Sequence, residues 1–385
     1  MDKSILCNYF NSKKCSSCHL LPNSIEEIKN QKILSLNEIF SLEVSQGLII
    51  RDMIETPKAF HSRAKAKFSV GGTSNDPIIG ITNKNLMITE LEECPLHFEI
   101  INNLLPTIKN LIKTHRITPY DIKSKSGELK GLIIKSNSEQ DQLILRFILK
   151  SKKHLEDIKS FMLTIQEKFN YIKIISVNIQ PIPHQILEGE EEIILTKKNT
   201  ITEKYENIEL VFGPTSFSQV TPYIAHKLYK KVAEIISTNN CQGLLDLFCG
   251  VGGFSIIASE HIKWGIGVEI SDQAIQYAKQ ASEINHIEKL TFLSGDVESF
   301  LESYNENKPD VIICNPPRRG LNNNICDHLK TISPNMILYS SCNPITLQRD
   351  LEYLSDIFII EELIPFDMFP LTKHMEVLAI LKKKH

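Results

Sequence analysis

Gly243-Leu244-Leu245-Asp246-Leu247-Phe248-Cys249-Gly250-Val251-Gly252-Gly253-Phe254-Ser255 is the stretch that decides the fold of this chain. Its first half is a short apolar run carrying one acid, the pattern of a strand buried on both faces. Its second half places glycines at 250, 252 and 253, so the backbone can approach a ligand closely and aim amides at it as a helix begins near Phe254. Further strands follow at Ile266-Gly267-Val268-Glu269, Leu290-Thr291-Phe292-Leu293, Asp310-Val311-Ile312-Ile313 and Met336-Ile337-Leu338-Tyr339-Ser340. Helical patterns separate them, as in 271–284 with Asp272 in the first turn. Strands alternating with helices predict a mostly parallel, Rossmann-like sheet.

In such a sheet ligands bind beyond the carboxyl ends of the strands. Gly250 lies in the glycine turn, and Glu269 ends the second strand, 23 residues after Asp246, where an acid meets ribose hydroxyls. Asp296, beyond the third strand, is placed for an adenine amino group. Gly250-x-Gly252-x-x-Ser255 also resembles a dinucleotide-binding turn, a weak motif by itself. Asp246 ahead of the glycines and Asn315-Pro316-Pro317 after the fourth strand favour S-adenosylmethionine over a nicotinamide cofactor.

Asn315 and Cys342 follow neighbouring strands, and the last strand, near Val377 to Ile380, is expected to run antiparallel with Glu376 at its start. A thiol, an amide and a carboxylate thus converge on one edge. Arg318 stands where methylation of an exocyclic nitrogen typically uses an aromatic residue after Asn-Pro-Pro. Carbon-5 of uracil is too weak a nucleophile to take a methyl group unaided. A thiolate added at carbon-6 activates it, and a base must later remove the carbon-5 proton. Cys342 suits the nucleophile and Glu376 the base. Arg318 suits a uracil carbonyl or a phosphate.

These segments closely resemble the RNA uracil-5-methyltransferase family over nearly the whole chain. The resemblance implies a class I S-adenosylmethionine-dependent methyltransferase fold (α/β, Rossmann-like) behind an N-terminal α+β domain. It places the nucleophile on Cys342 of Ser341-Cys342-Asn343-Pro344 and the base on Glu376 of His374-Met375-Glu376. It places cofactor contacts on Gln219, Phe248, Glu269 and Asn315. Many members carry Asp at the position of Asn315, so contact rather than proton removal is expected there. Gln219-Val220-Thr221 departs from the family's Gln-x-Asn at Thr221.

Four of nine cysteines fall in the first quarter, at Cys7, Cys15, Cys18 and Cys94-Pro95. Four thiolates suit structural zinc or an iron–sulfur cluster, and their spacing does not separate the two. It does depart from the C-x3-C-x2-C of radical enzymes. The resemblance tips the choice to a [4Fe–4S] cluster, carried on these four by one branch of the family. That branch is compact, without the extra N-terminal domain of a larger one, for which six residues before Cys7 leave no room. It acts on uracil-747 of 23S ribosomal RNA, which is therefore the expected partner. A tRNA uracil-5-methyltransferase and a non-catalytic RNA-binding assembly factor are the alternatives.

The expected organisation is a cysteine-cluster region over 1–95, a central α+β RNA-substrate domain over 96–205 packed with it, and the methyltransferase domain over 206–385. Within the central region, Gly131–Ile134 and Leu143–Ile148 are expected to pair antiparallel, ahead of a helix over 154–169 and a linker over 196–207. A net charge of −3 excludes a generally basic nucleic-acid binder, so local charge must serve. Lys58, Arg63, Lys65 and Lys67 are the candidates for phosphate contacts. Lys382, Lys383 and Lys384 are expected to form a frayed end. There is no signal-peptide core or membrane-length apolar run, so a cytoplasmic monomer without an obligate protein partner is expected.

Overall fold

The computed structural model describes residues 7–83, 85–182 and 188–384, which form two compact units. One comprises residues 1–18, 58–203 and 213–215, the other 19–57, 204–212 and 216–385. This differs from the expected boundaries. The segment 19–57 joins the methyltransferase unit, because β1 (Ile49–Ile50) pairs in parallel with β16 (Phe358–Phe366) and the Arg51 guanidinium meets Glu362. The chain crosses between the units within a two-stranded ribbon, β9 (Ile201–Tyr205) and β10 (Ile208–Phe212). The expected linker therefore contains a strand, whose Ile201, Glu203 and Tyr205 are buried.

The first unit is built on seven strands: β2 (Lys65–Gly72), β3 (Pro77–Thr82), β4 (Ile88–Glu90), β5 (Leu129–Ser136), β6 (Leu143–Leu149), β7 (Ile172–Ile179) and β8 (Glu191–Ile194). Their order is β4-β3-β2-β5-β6-β7-β8. β5 and β6 pair antiparallel as expected, and every residue of both is buried, which explains their near-continuous apolar sequence. The helix Leu155–Lys168 connects β6 to its parallel neighbour β7 and buries Ile158, Phe161 and Ile165.

The second unit carries β1 and β16 with β11 (Gly243–Leu247), β12 (Trp264–Glu269), β13 (Leu290–Ser294), β14 (Val311–Cys314), β15 (Met336–Ser341) and β17 (Glu376–Lys383). The order is β1-β16-β17-β15-β14-β11-β12-β13. The five strands from β11 to β15 are parallel, and β17 runs antiparallel between β15 and β16. The chain winds outward in both directions from β11 and β14, so the switch point that opens a ligand crevice lies between them. Lys382 and Lys383 belong to β17 rather than to a frayed end, and Lys382 pairs with Glu361 at 2.9 Å. Among the described residues no helix is long and apolar enough to cross a membrane.

Candidate active site

β11 delivers the glycine turn to the switch point. Phe248 adopts φ 62°, a conformation costly for an aromatic residue, and Gly250 and Gly252 adopt φ 55° and 80°. A Cβ at Gly250 would stand in open space. Glu269, at the end of β12, accepts the Gly250 N–H at 3.2 Å and the Ser271 N–H at 3.1 Å. Asp246 is fully buried, and burial pushes its carboxyl up to about 7 against the Ser255 hydrogen bonds. Its Oδ2 accepts the Ser255 N–H at 3.2 Å, whereas Oδ1 finds no hydrogen-bond partner. An open cradle and an orphaned buried acceptor fit S-adenosylmethionine, whose amine and ribose are donors.

The remaining predicted cofactor residues frame the same edge. Asn315 follows β14, half-buried, with its N–H donating to Leu247 O at 3.3 Å. Half-buried Gln219 precedes the helix Pro222–Thr238. Asp296 is exposed and caps the helix Val297–Ser303, accepting the Ser299 N–H at 3.1 Å through Oδ1.

Cys342 lies one residue beyond β15. The last β15–β17 pair is Ser341 with Val377, so one further step sets Cys342 opposite Glu376. Asn343 caps the following helix, Pro344–Leu354, where Pro344 suits the first turn because no N–H is needed there. The Asn343 amide donates to Arg318 O at 3.1 Å, tying the loop after β14 to the cysteine's helix. Gly320 permits the turn of that loop: at φ 79°, a Cβ there would meet Asp350 Oδ2 at 2.4 Å.

Five cysteines belong to this unit, and Cys342 is the one not fully buried. Burial raises its thiol and Glu376 raises it further, while Arg318 pulls it back towards the thiolate. Glu376 is wholly buried, which pushes its carboxyl up to about 7. The Ser340 hydroxyl donates to Glu376 Oε1 at 2.5 Å and opposes that shift. Ser340 is a contact that the sequence reading missed. Its signal was the antiparallel pairing itself, which pairs Ser340 with Leu378 and makes Glu376 its diagonal neighbour.

In the first unit, the Tyr9 hydroxyl accepts the Glu92 and Glu93 N–H groups, both at 3.1 Å, and so draws the segment holding Cys7, Cys15 and Cys18 to Cys94. Burial pushes the Cys18 thiol up to about 12, with Arg63 opposing and the other three cysteines adding to the rise. The four are thus close enough to feel one another's charge. Among the described residues, no three Cys, His, Asp or Glu side chains are spaced to hold a single metal ion.

The basic residues proposed for phosphate contacts differ in their surroundings, with Lys58 and Lys67 exposed and Arg63 and Lys65 partly buried. Lys67 pairs with Glu188 at 2.7 Å, and burial, then Lys67, pulls Lys65 down to about 8. Glu188 also meets the buried Arg146 guanidinium at 2.6 Å, and Arg63 stands by Cys18 and Cys94. Lys65 and Arg63 are thus taken up within the unit, whereas Lys67 keeps half of its side chain exposed beside Glu188.

A sequence model described as tRNA (Uracil-5-)-methyltransferase matches residues 56–384. A protein of Shewanella sp. (strain W3-18-1), named 23S rRNA (uracil(747)-C(5))-methyltransferase RlmC, is 35% identical over 98% of this chain and 97% of its own length. A protein of the same name from Haemophilus influenzae (strain 86-028NP) is 35% identical over 98% of each chain. The crystal structure of Pyrococcus abyssi tRNA (uracil-54, C5)-methyltransferase with S-adenosyl-L-homocysteine superposes with a TM-score of 0.79. It covers 94% of this chain and 85% of that one at 24% identity, and bears on the fold. By a near-complete family match and by full-length likeness to curated relatives, this chain belongs to the tRNA (uracil-5-)-methyltransferase family.

Proposed function

We propose that this protein methylates carbon-5 of uracil-747 in 23S ribosomal RNA, with Cys342 as nucleophile and Glu376 as base. The chemistry rests chiefly on one observation: a half-buried thiol set opposite a wholly buried carboxylate, on the edge that carries the glycine turn. The choice of RNA rests on the near-complete, 35% likeness to relatives named for that nucleotide.

S-adenosylmethionine supplies the methyl group. Gln219, Phe248, Gly250, Glu269, Asp296 and Asn315 hold and orient it. The Cys342 thiol gives its proton to solvent, and the thiolate sulfur bonds to carbon-6 of the uracil, moving the electron pair of the carbon-5–carbon-6 double bond onto carbon-5 and its neighbouring carbonyl. Carbon-5 forms its new bond to the methyl carbon as the bond from that carbon to the departing sulfur breaks. Glu376 then takes the carbon-5 proton, the carbon-6–sulfur bond breaks, and the electron pair returns to Cys342 as thiolate. Arg318 favours the thiolate and, being exposed, is free to meet a uracil carbonyl or a phosphate of the RNA. RNA carrying 5-fluorouridine at position 747 tests this directly, because Glu376 has no proton to remove from a fluorinated carbon. A stable protein–RNA bond that depends on S-adenosylmethionine is expected; its absence with methyl-accepting control RNA contradicts the scheme.

The pH dependence follows from Glu376. Its carboxyl, raised to about 7, is the active base only when ionised, so turnover should rise with pH through about 7. Ser340→Ala removes the hydrogen bond that favours the carboxylate, so the midpoint should move to higher pH. A pH–rate series of both proteins checks this, and an unmoved midpoint contradicts it.

Cys7, Cys15, Cys18 and Cys94 hold a [4Fe–4S] cluster in this reading. Four thiols near enough for Cys7, Cys15 and Cys94 to raise Cys18 are the donor set such a cluster takes. Its role is structural, fixing the N-terminal segment against the sheet of its unit. Anaerobic purification should give iron and sulfide with visible absorbance, and Cys94→Ser should lose both and lower Tm. Zinc without sulfide overturns this assignment. The enzyme is placed in the cytoplasm, where its RNA is, and acts as a monomer.

A further inference from the structure

The segment 367–375 joins β16 to β17 and ends at Glu376. Phe366, the last residue of β16, is the cross-strand partner of Glu376, so the anchoring of this connection sets where the carboxylate stands. Lys32, from the distant helix Ile25–Ile39, is only 2% exposed. Its Nζ donates to Asp367 Oδ1 at 2.5 Å and to Phe369 O at 3.2 Å. Asp367 N–H donates to Ile54 O at 2.9 Å, and Leu20 N–H donates to Leu371 O at 3.2 Å. From the cofactor side, the fully buried Thr221 spends its hydroxyl on Met368 O at 2.9 Å instead of capping its own helix. A desolvated ammonium is costly unless its bonds are well made, so its placement here ties function to geometry.

We propose that Lys32 is a positioning residue for proton removal: by clamping Asp367 and Phe369 it fixes the connection that presents Glu376 to carbon-5 of the bound base. This extends the reading of Glu376 as the base and rests on it. The segment 19–57, far from the cofactor motifs in sequence, thereby becomes part of the catalytic framework. Thr221 fastens the same connection beside Gln219, which gives the departure from Gln-x-Asn a physical use.

Removing the clamp should slow the proton-removal step while methyl transfer proceeds, so the covalent RNA–protein adduct should accumulate. Lys32→Met is compared with Lys32→Met/Asp367→Asn, which leaves no orphaned charge if the single variant fails to fold. Circular dichroism checks the fold. Denaturing gels with 23S ribosomal RNA and S-adenosylmethionine read the adduct, beside Glu376→Gln and wild type. The expected result for the folded variant is turnover slowed roughly ten- to a hundredfold, with adduct visible and the KM for S-adenosylmethionine within about twofold of wild type. A structural role alone would lower Tm without raising the adduct. Wild-type turnover in the folded double variant, or slow turnover without adduct, overturns the proposal. Absence of adduct in Glu376→Gln instead removes the base assignment beneath it.

Discussion

Glu376→Gln is expected to turn the enzyme into a trap. Thiolate addition and methyl transfer need Cys342, the cofactor and the uracil, and all remain. Only removal of the carbon-5 proton stalls, so the carbon-6–sulfur bond cannot break and methylated RNA stays attached. Turnover should fall roughly 10²- to 10⁴-fold, the range for a lost general base, while adduct survives denaturation. The variant should also fold. The carboxyl is raised to about 7 from an ordinary 4.5, so the stability it contributes is present below about 4.5 and lost as pH rises through about 7. At about pH 8 the wild type bears the cost of a buried carboxylate that glutamine avoids, so Tm there should be no lower than wild type. A denaturing gel and a melting curve check both parts. An adduct-free, active Glu376→Gln enzyme would remove this residue from the role.

Cys342→Ala should abolish both product and adduct. Without addition at carbon-6, carbon-5 is not activated towards the methyl group, so a loss of at least about 10⁴-fold is expected. S-adenosylmethionine binding should persist, because Glu269 ends β12 and Phe248 and the glycine turn follow β11, away from the loop that carries Cys342. Calorimetry with S-adenosylmethionine and S-adenosylhomocysteine separates a lost nucleophile from a lost fold. Retained methyl transfer would indicate direct transfer to a nitrogen, for which the cysteine is unnecessary. The other four cysteines of this unit are poor substitutes: all are buried, and burial raises each thiol further from its reactive form.

The methyltransferase sheet was legible because its strands are short apolar runs separated by clear helices. The five parallel strands and the antiparallel last strand fall within a few residues of their expected places, and Cys342 and Glu376 meet because that antiparallel register brings them opposite. What escaped was everything set by tertiary pairing. Nothing local in 19–57 announces that Ile49 will pair with Glu362 or that Lys32 will reach Asp367, since both contacts span more than three hundred residues. The alternating basic residues of β2 read as candidates for phosphate contacts, and the pairing of Lys67 with Glu188, which also holds Arg146, was out of reach because both partners come from far along the chain. Ser340 read as one more strand residue until its diagonal neighbour across the pair was known.

The most direct test is mass mapping of unmodified 23S ribosomal RNA and bulk tRNA after incubation with purified protein and methyl-labelled S-adenosylmethionine, beside Cys342→Ala. The predicted result is 5-methyluridine at position 747 of 23S ribosomal RNA, none in tRNA, and none anywhere with Cys342→Ala. Label in tRNA, or label that survives the loss of Cys342, would contradict it.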